Sequence, residues 1–254
     1  ADVLWSSEVF NTISLARRAL LEPYDPPSAK GIPARFRDPQ HRWTALAARA
    51  RVIAFDPKRT PAAQVPRRWE DLIQGDTARR VALANPLFGT TRGHVAAMFA
   101  RWGDARGRSF LESLRVGGAS IVDGNSAAVR VVLAGQADFA VTDTDDVWIP
   151  QRQGESLDLV YPDLGDGGTL LIPCSVALIR GGPHAEASRP LIDFLVSAEV
   201  ERILAESEAR HIPVREELRK QLNISWPPES VVDYAAVADA MSAAESAVRE
   251  ILIR

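Results

Sequence analysis

Three short polar clusters follow apolar runs between residues 81 and 148, and each could help to bind a small ligand. They are Gly89-Thr90-Thr91, Gly124-Asn125-Ser126 and Thr142-Asp143-Thr144-Asp145-Asp146. Each cluster stands where a strand should end and a helix should begin, and free backbone N–H groups and the helix dipole make such a start suitable for anions. In an open α/β sheet, ligands lie beyond the carboxyl ends of the strands. The recurrence of the pattern at three successive junctions predicts one side of a ligand-binding site.

The acidic pair in the third cluster, Asp145 and Asp146, has three interpretations. Acidic residues in the first turn of a helix are stabilised by the dipole by about 0.3–1 kcal/mol each, so the pair could serve the helix alone. As hard oxygen donors, the two carboxylates could instead join Glu8 in binding a cation. In the third interpretation Asp145 holds an ammonium or hydroxyl group of an organic solute, and the solute's anionic end sits at the first two clusters.

Capping and turn formation are an equally complete explanation for Thr90, Thr91 and Asn125 taken one at a time. Their recurrence at successive junctions is what favours a ligand. Arg49 and Arg51 could add positive charge to such a site.

The sequence offers no catalytic constellation. The four histidines are scattered without metal-ligand spacing, and no nucleophile elbow, phosphate-binding Gly-x-x-x-x-Gly-Lys loop or dinucleotide fingerprint occurs. Cys174 lies in an apolar run that is typical of a buried, unreactive thiol. We therefore expect that the protein is not an enzyme. His94 is expected at the surface, and Trp5 in the core.

Length and composition are those of an ordinary globular protein. The 254 residues suffice for two modest lobes, with 46% apolar and 25% charged residues. A net charge of −3 argues against general binding of nucleic acid, because no overall positive field would attract phosphates. The single cysteine excludes an internal disulfide bond.

Alternating strand and helix patterns from Val81 to Tyr161 predict a parallel sheet with helices on its faces. The long apolar run of residues 169–180 predicts a buried strand that crosses between two lobes. Residues 190–207 and 231–254 predict one amphipathic helix and one alanine-rich helix. No stretch has the composition of a linker, which would follow if two lobes exchanged strands.

Eight segments of the chain, taken in order, resemble the periplasmic solute-binding proteins of ABC importers, specifically the ferric-ion-binding branch. They are ADVLWSSE (1–8), PARFRDP (33–39), WTALAARARVI (43–53), NPLFGTT (85–91), DGNS (123–126), TDTDD (142–146), GTLLIP (168–173) and LIDFLVS (191–197). Each segment alone is weak evidence, but their order and their spread over nearly the whole chain make the resemblance specific.

The resemblance implies a two-lobed α/β fold of the type II periplasmic binding protein kind, with lobes joined by crossing strands that allow hinge closure. Lobe one would comprise residues 1–56 and 168–254, and lobe two residues 57–167, with the C-terminal helices able to pack on either lobe. The family's first strand-helix-strand segment would lie upstream of Ala1, so we expect an N-terminal part and its export signal to be missing from this chain.

The resemblance also implies roles for individual residues. Glu8 falls at the carboxylate that lobe one supplies to the metal. Asp145 and Asp146 stand where ferric-ion binders have a tyrosine pair, a departure that puts iron in doubt. The ligand-binding residues predicted on this basis are Ser6, Ser7, Glu8, Gly89, Thr90, Thr91, Asn125, Ser126, Thr142 and Asp143, and the predicted metal ligands are Glu8, Asp145 and Asp146.

The expected function is that of the substrate-binding component of an ABC importer, in the periplasm or lipid-anchored outside the inner membrane. It would bind a metal ion with a companion anion between its lobes, require no resident cofactor, and deliver its cargo as a monomer to a membrane permease. Three alternatives remain open. They are a binding protein for a phosphonate- or carboxylate-bearing organic solute, an effector-sensing regulatory domain like that of LysR-type regulators, and a small-molecule enzyme on the same scaffold.

Overall fold

The alternation of strands and helices predicted from the sequence is present in the computed structural model, which describes residues 1–253. The strands are β1 (Val3–Ser6), β2 (Leu21–Glu22), β3 (Thr44–Phe55), β4 (Val81–Ala84), β5 (Ser120–Val122), β6 (Phe139–Asp143), β7 (Asp158–Val160) and β8 (Leu171–Ile179). The helices are α1 (Val9–Arg17), α2 (Gly89–Trp102), α3 (Asp104–Gly117), α4 (Asn125–Leu133), α5 (Thr144–Arg152), α6 (Ala185–Leu195), α7 (Ala198–Glu206), α8 (Glu216–Leu222) and α9 (Tyr234–Ile251). Among residues 1–253, no helix combines the length and apolarity that crossing a bilayer requires.

The described chain divides into two compact units. The first unit contains Ala1–Arg49 and Ile172–Trp226, and the second contains Ala50–Leu171 and the residues from Pro227 onward. The division falls inside β3 and at the start of β8. The lobe bounds expected from the sequence, at residues 56/57 and 167/168, stay a prediction.

The sheet of the first unit is antiparallel and is built on β8. Strand β1 pairs with β8 from Val3 opposite Leu178 to Ser6 opposite Ser175, and β2 pairs with the end of the same strand. Helix α1 buries Val9, Phe10 and Ile13. Apolar residues at this helical spacing form one face of a helix, which explains why α1 packs into the core of this unit.

The sheet of the second unit carries the three polar junctions. Strands β4, β5 and β6 are parallel, as predicted, while β3 runs antiparallel to both β6 and β7. The junctions β4–α2, β5–α4 and β6–α5 therefore leave the sheet at the same edge, because carboxyl ends of parallel neighbours coincide. A helix that the sequence analysis did not predict, α3, follows α2 directly across Gly103, whose φ of +83° needs the freedom of glycine.

One predicted helix is wrong in its extent. The amphipathic segment of residues 190–207 forms parts of two helices, α6 and α7, rather than one. The chain leaves the helical conformation at Ser197, whose φ and ψ are −70° and +156°, and the Ser197 hydroxyl accepts a hydrogen bond from the N–H of Val200. Serine is a favoured N-cap residue, and here it starts a new helix in the middle of an apolar pattern that continues on both sides.

The last helix, α9, belongs to the second unit, where it packs along α2 and also contacts α3. Val237, Met241 and Val248 lie on its buried face. Two ion pairs border this packing: the Arg92 guanidinium donates to Glu245 at 2.6 Å, and Arg108 donates to Glu250 at 2.7 Å. Helix α9 thereby supports the helix whose first turn contains Thr90 and Thr91.

Candidate functional site

The three polar junctions of the second unit meet around the side chain of Arg51. Arg51 lies in β3 and is 0% exposed. Its guanidinium forms a salt bridge with Asp143, the last residue of β6, at 2.8 Å. It also donates to the hydroxyls of Thr90 and Thr91 at 3.2 Å and 3.4 Å, and to the Asn125 amide oxygen at 3.5 Å. A buried guanidinium is costly unless paired and hydrogen-bonded. These four residues supply partners for its two terminal nitrogens, whereas its Nε–H has no hydrogen-bond partner among residues 1–253.

The same four residues also bind one another. Thr90 donates to Asp143 at 2.5 Å, and the Asn125 amide nitrogen donates to both of them at 2.9 Å. Thr91 in turn donates to the Asn125 amide oxygen at 3.0 Å. We name these five residues, with Arg51 at the centre, the Arg51 network. The structure thus brings together Thr90, Thr91, Asn125 and Asp143, which the sequence singled out at three separate junctions.

A group of three carboxylates adjoins the Arg51 network. One oxygen each of Asp143, Asp145 and Asp146 can be chosen so that the three lie within 4.8 Å of one another. Asp143 is the N-cap of α5, and the chain turns there from strand to helix, which allows neighbouring carboxylates to converge. Thr142 donates to Asp146 at 2.9 Å. Carboxylate oxygens this close together have the donor chemistry of a site for a hard cation.

The helices at the other two junctions begin without a side-chain cap. The N-cap residues of α2 and α4 are Phe88 and Gly124, and neither makes a capping hydrogen bond through its side chain. Gly89, at φ +55°, and Ser126 are both exposed in the first turns of these helices. Their predicted role in ligand binding is not decided by this geometry and stays a prediction.

The remaining predicted ligand residues lie in the first unit. The Glu8 carboxylate caps α1 by accepting the N–H of Asn11 at 3.0 Å. Ser6 donates its hydroxyl hydrogen to the Glu8 carbonyl at 2.7 Å, and the Ser7 carbonyl accepts from the Cys174 thiol at 3.6 Å. Capping uses part of the Glu8 carboxylate's capacity, and its role as a ligand stays a prediction.

Two expectations about single side chains are wrong. Trp5 is 54% exposed instead of lying in the core. His94, expected at the surface, is only 2% exposed and packs against Trp69, with ring centroids 4.1 Å apart and ring planes tilted by 59°. The helical spacing contained the signal, because His94 is four residues from both Thr90 and Met98 and so shares their buried face. Burial, and secondarily the positive charge of Arg51, lowers the pKa of His94 well below its usual value of 6.5.

The rings of His94 and Trp69 border an apolar cavity of about 10 Å³ in the second unit. This volume is near the lower limit for a single water molecule and far below that of a ligand pocket. Among residues 1–253, neither His94 Nε2 nor Trp69 Nε1 has a hydrogen-bond partner. The uncharged form of His94 is therefore the one that fits this apolar surrounding.

Comparison with known families identifies the scaffold that carries these features. Residues 2–234 match the family described as bacterial extracellular solute-binding protein. The chain is a member of this family. The match spans both units, so the Arg51 network and the carboxylate group belong to a solute-binding protein.

Two curated relatives and one solved structure illustrate the similarity. The solute-binding protein is 25% identical to a "Probable ABC transporter periplasmic-binding protein" of Sinorhizobium fredii, with 79% of this chain and 57% of the relative covered. It is 23% identical to the "Major ferric iron-binding protein" of Neisseria meningitidis, with 83% and 65% covered. The chain thus spans 57–65% of the length of these two relatives. The ferric binding protein from Campylobacter jejuni superposes with a TM-score of 0.88 at 20% identity, covering 99% of this chain and 84% of that one.

These comparisons confirm the family and the fold that the sequence predicted. The similarity to the Campylobacter structure shows the α/β fold of two-lobed periplasmic binding proteins. At this level of identity the comparison carries no information about individual ligand residues, which must be judged by their own geometry.

Proposed function

We propose that this solute-binding protein is the substrate-binding component of an ABC importer, located in the periplasm, and that it carries a metal ion with a companion anion. The observation that carries the proposal is the group of three carboxylates within 4.8 Å at the start of α5. Carboxylate oxygens are the ligands that hard cations take, and a nearby cation favours the charged form of a carboxylate. A cation bound by these three carboxylates would take one oxygen from each.

The donor atoms favour a hard cation. Carboxylate oxygens suit cations such as Ca²⁺, Mg²⁺ and Mn²⁺, whereas soft metals prefer sulfur. The names of the relatives support iron as cargo. In this chain, however, Asp145 and Asp146 provide carboxylates at the positions where the resemblance implies a tyrosine pair. We therefore propose a hard cation as the class of cargo, with ferric iron as the first member to test.

The proposed mechanism involves no covalent chemistry. The cargo would stabilise the conformation that binds it better, and this conformation would then be presented to a membrane permease. A companion anion would contribute charge balance at the uncapped first turns of α2 and α4, where helix dipoles favour negative charge.

Thermal unfolding with a panel of ligands tests the proposal. The panel comprises Fe(III) supplied as citrate, Ca²⁺, Mg²⁺, Mn²⁺, carbonate, phosphate and 2-aminoethylphosphonate. A bound cation at a hundredfold excess over its dissociation constant should stabilise the wild type by about 2.7 kcal/mol. Asp145→Asn and Asp146→Asn should abolish that shift, because each removes a ligand charge.

Asp158→Asn is the matched control, because Asp158 is an exposed residue of the same unit outside the site. It should retain the full shift. A cation shift that persists in both site variants would contradict the carboxylate site. If 2-aminoethylphosphonate alone stabilises the protein, the cargo is an organic solute and not a metal ion. The Glu8→Gln variant shows whether Glu8 contributes to binding of the ligand that is found.

A further inference from the structure

The hydrogen bonds of the Arg51 network use the capacity of two of the side chains that the sequence assigned to the solute. A threonine hydroxyl can donate one hydrogen bond and accept two. Thr90 donates to Asp143 and accepts from both Arg51 and Asn125, so all three positions are filled. The Asn125 amide donates twice, to Thr90 and Asp143, and its oxygen accepts from Thr91 and Arg51. Neither side chain retains a free position for a solute.

The network also ties together elements that are distant in sequence. Thr90 and Thr91 lie in the first turn of α2, Asn125 begins α4, and Asp143 stands at the N-cap position of α5. Arg51 reaches all three junctions from β3, a strand whose neighbours β6 and β7 hold it on both sides. Because Arg51 is completely buried, water cannot replace its hydrogen bonds, and the relative positions of the three first turns depend on it.

Resting on the proposed function, we propose that Arg51 is the positioning residue of the solute site. Through Thr90, Asn125 and Asp143 it fixes the first turns of α2, α4 and α5 before any solute arrives, and the side chains of Thr90 and Asn125 act through this network instead of touching the solute. Recognition then rests on groups outside the network, foremost Asp145 and Asp146. A preformed site loses less conformational freedom on binding, which increases affinity.

The shape of the guanidinium is essential to this role. Its planar fork presents several N–H groups in fixed directions, and Arg51 uses two terminal nitrogens to reach four partners. A lysine would keep the charge but offer a single nitrogen. If Arg51 positions the site, the Arg51→Lys variant should lose affinity for the solute. If only its charge matters, the Arg51→Lys variant should keep that affinity.

Hydrogen exchange without solute provides the first test. The amides of Arg92 and Ala128 close the first turns of α2 and α4 on the carbonyls of Phe88 and Gly124. In Arg51→Met and Arg51→Lys these two amides should exchange at least tenfold faster than in the wild type. When Fe(III) citrate is added to either variant, the exchange of these two amides should slow by a larger factor than the exchange of the α9 amides in the same variant. The affinity for Fe(III) citrate should fall at least tenfold in both variants.

Arg215→Met is the matched control. Arg215 is a buried arginine of the first unit that donates to Glu201 at 2.6 Å. Its removal should destabilise the first unit to a similar degree while leaving the exchange of Arg92 and Ala128 and the affinity unchanged. If Arg51→Met does not fold, Thr91→Val and Arg51→Lys, which each remove only part of the network, provide the same comparison.

The exchange measurement requires no ligand, so it separates this proposal from the proposed function. If no member of the panel binds the wild type, the function fails while faster exchange at Arg92 and Ala128 still supports positioning by Arg51. Unchanged exchange at both amides in both Arg51 variants would overturn the positioning role. So would full recovery of affinity with lysine, or a loss of affinity without faster exchange, since the latter would make Arg51 a direct ligand.

Discussion

Two buried basic residues of the second unit, Arg51 and His94, are accommodated by opposite means. Arg51 forms an ion pair with Asp143 and donates hydrogen bonds to three neutral side chains. His94 lies beside Trp69 and apolar side chains, and burial lowers its pKa, so it is buried in the uncharged form. Acid should therefore affect the fold through His94 in particular, because protonation would place an uncompensated charge in the core.

The direction of the pH effect follows from the lowered pKa. In the unfolded chain His94 takes up a proton near pH 6.5, whereas in the folded protein it does so only at a much lower pH. The stability that the neutral residue contributes is present above pH 6.5 and is lost as the pH falls below it. Between pH 6.5 and the folded pKa, the free energy of unfolding of the wild type should lose about 1.4 kcal/mol per pH unit from this residue.

Urea unfolding of the wild type and of His94→Gln from pH 7.5 to pH 5 measures this contribution. The difference between the two proteins should shrink as the pH falls. In the control Val116→Ala, which changes an exposed residue that does not titrate, the difference from the wild type should stay nearly constant. A pH dependence that is the same in His94→Gln and the wild type would show that His94 does not resist protonation.

At the scale of single residues, the sequence predicted correctly which polar side chains come together. It predicted less well which contacts they make. The convergence of Thr90, Asn125 and Asp143 follows from their positions after parallel strands. That Arg51 would occupy the centre was not inferred, although an arginine within the apolar run of β3 must find a buried partner. The alternation of side chains along β3 predicts the face of the sheet on which Arg51 lies. Which residue pairs with it depends on the order of strands in the sheet, and the local sequence pattern does not specify that order.

Helix boundaries in the first unit depend on single side chains rather than on the apolar pattern. The pattern is continuous from α6 into α7, yet Ser197 ends one helix and begins the next. Helix α3 of the second unit was missed for a related reason, since Gly103, at φ +83°, ends α2 and α3 begins at the next residue. Periodicity identifies a helical stretch, whereas breaks within it arise from caps and from glycine conformations that only the folded chain displays.

Replacing the N-cap of α7 should be measurable. Ser197→Ala removes the hydroxyl that accepts the N–H of Val200 and should lower the free energy of unfolding by about 1 kcal/mol. Ser113→Ala is the matched control, because Ser113 lies inside α3 and its hydroxyl donates to the Ser109 carbonyl of the same helix at 2.9 Å. There alanine should stabilise slightly, by up to about 0.5 kcal/mol, through its higher helix propensity. Equal effects of the two changes in urea unfolding would contradict a capping role for Ser197.

In the whole molecule, the chain after Trp226 returns to the second unit, although residues 168–254 had been assigned to the first. The sequence analysis allowed the C-terminal helices to pack on either lobe, because an amphipathic helix shows that it has a buried face without showing against what. The packing of α9 on α2 links the end of the chain to the helix that begins at the candidate site.

Met241→Ala tests this assignment. Met241 is 4% exposed on the buried face of α9, and its truncation should lower the free energy of unfolding by about 2–5 kcal/mol. Val231→Ala, at a residue 86% exposed, should change it by less than about 0.5 kcal/mol. Hydrogen exchange resolved by peptide should show faster exchange in residues 50–171 for Met241→Ala. Faster exchange confined to residues 1–49 and 172–226 would instead place α9 with the first unit.

The chain passes from one unit to the other at residues 49/50, 171/172 and 226/227, and the first of these points is inside β3. Neither unit is therefore encoded by one contiguous stretch of the gene. Recombination could exchange one unit for that of a related protein only with three coordinated breakpoints. Insertion of a single residue into β3 before Arg51 would turn Arg51 and every later side chain of the strand to the opposite face of the sheet. During divergence, the length of this strand should therefore be conserved far more strictly than its composition.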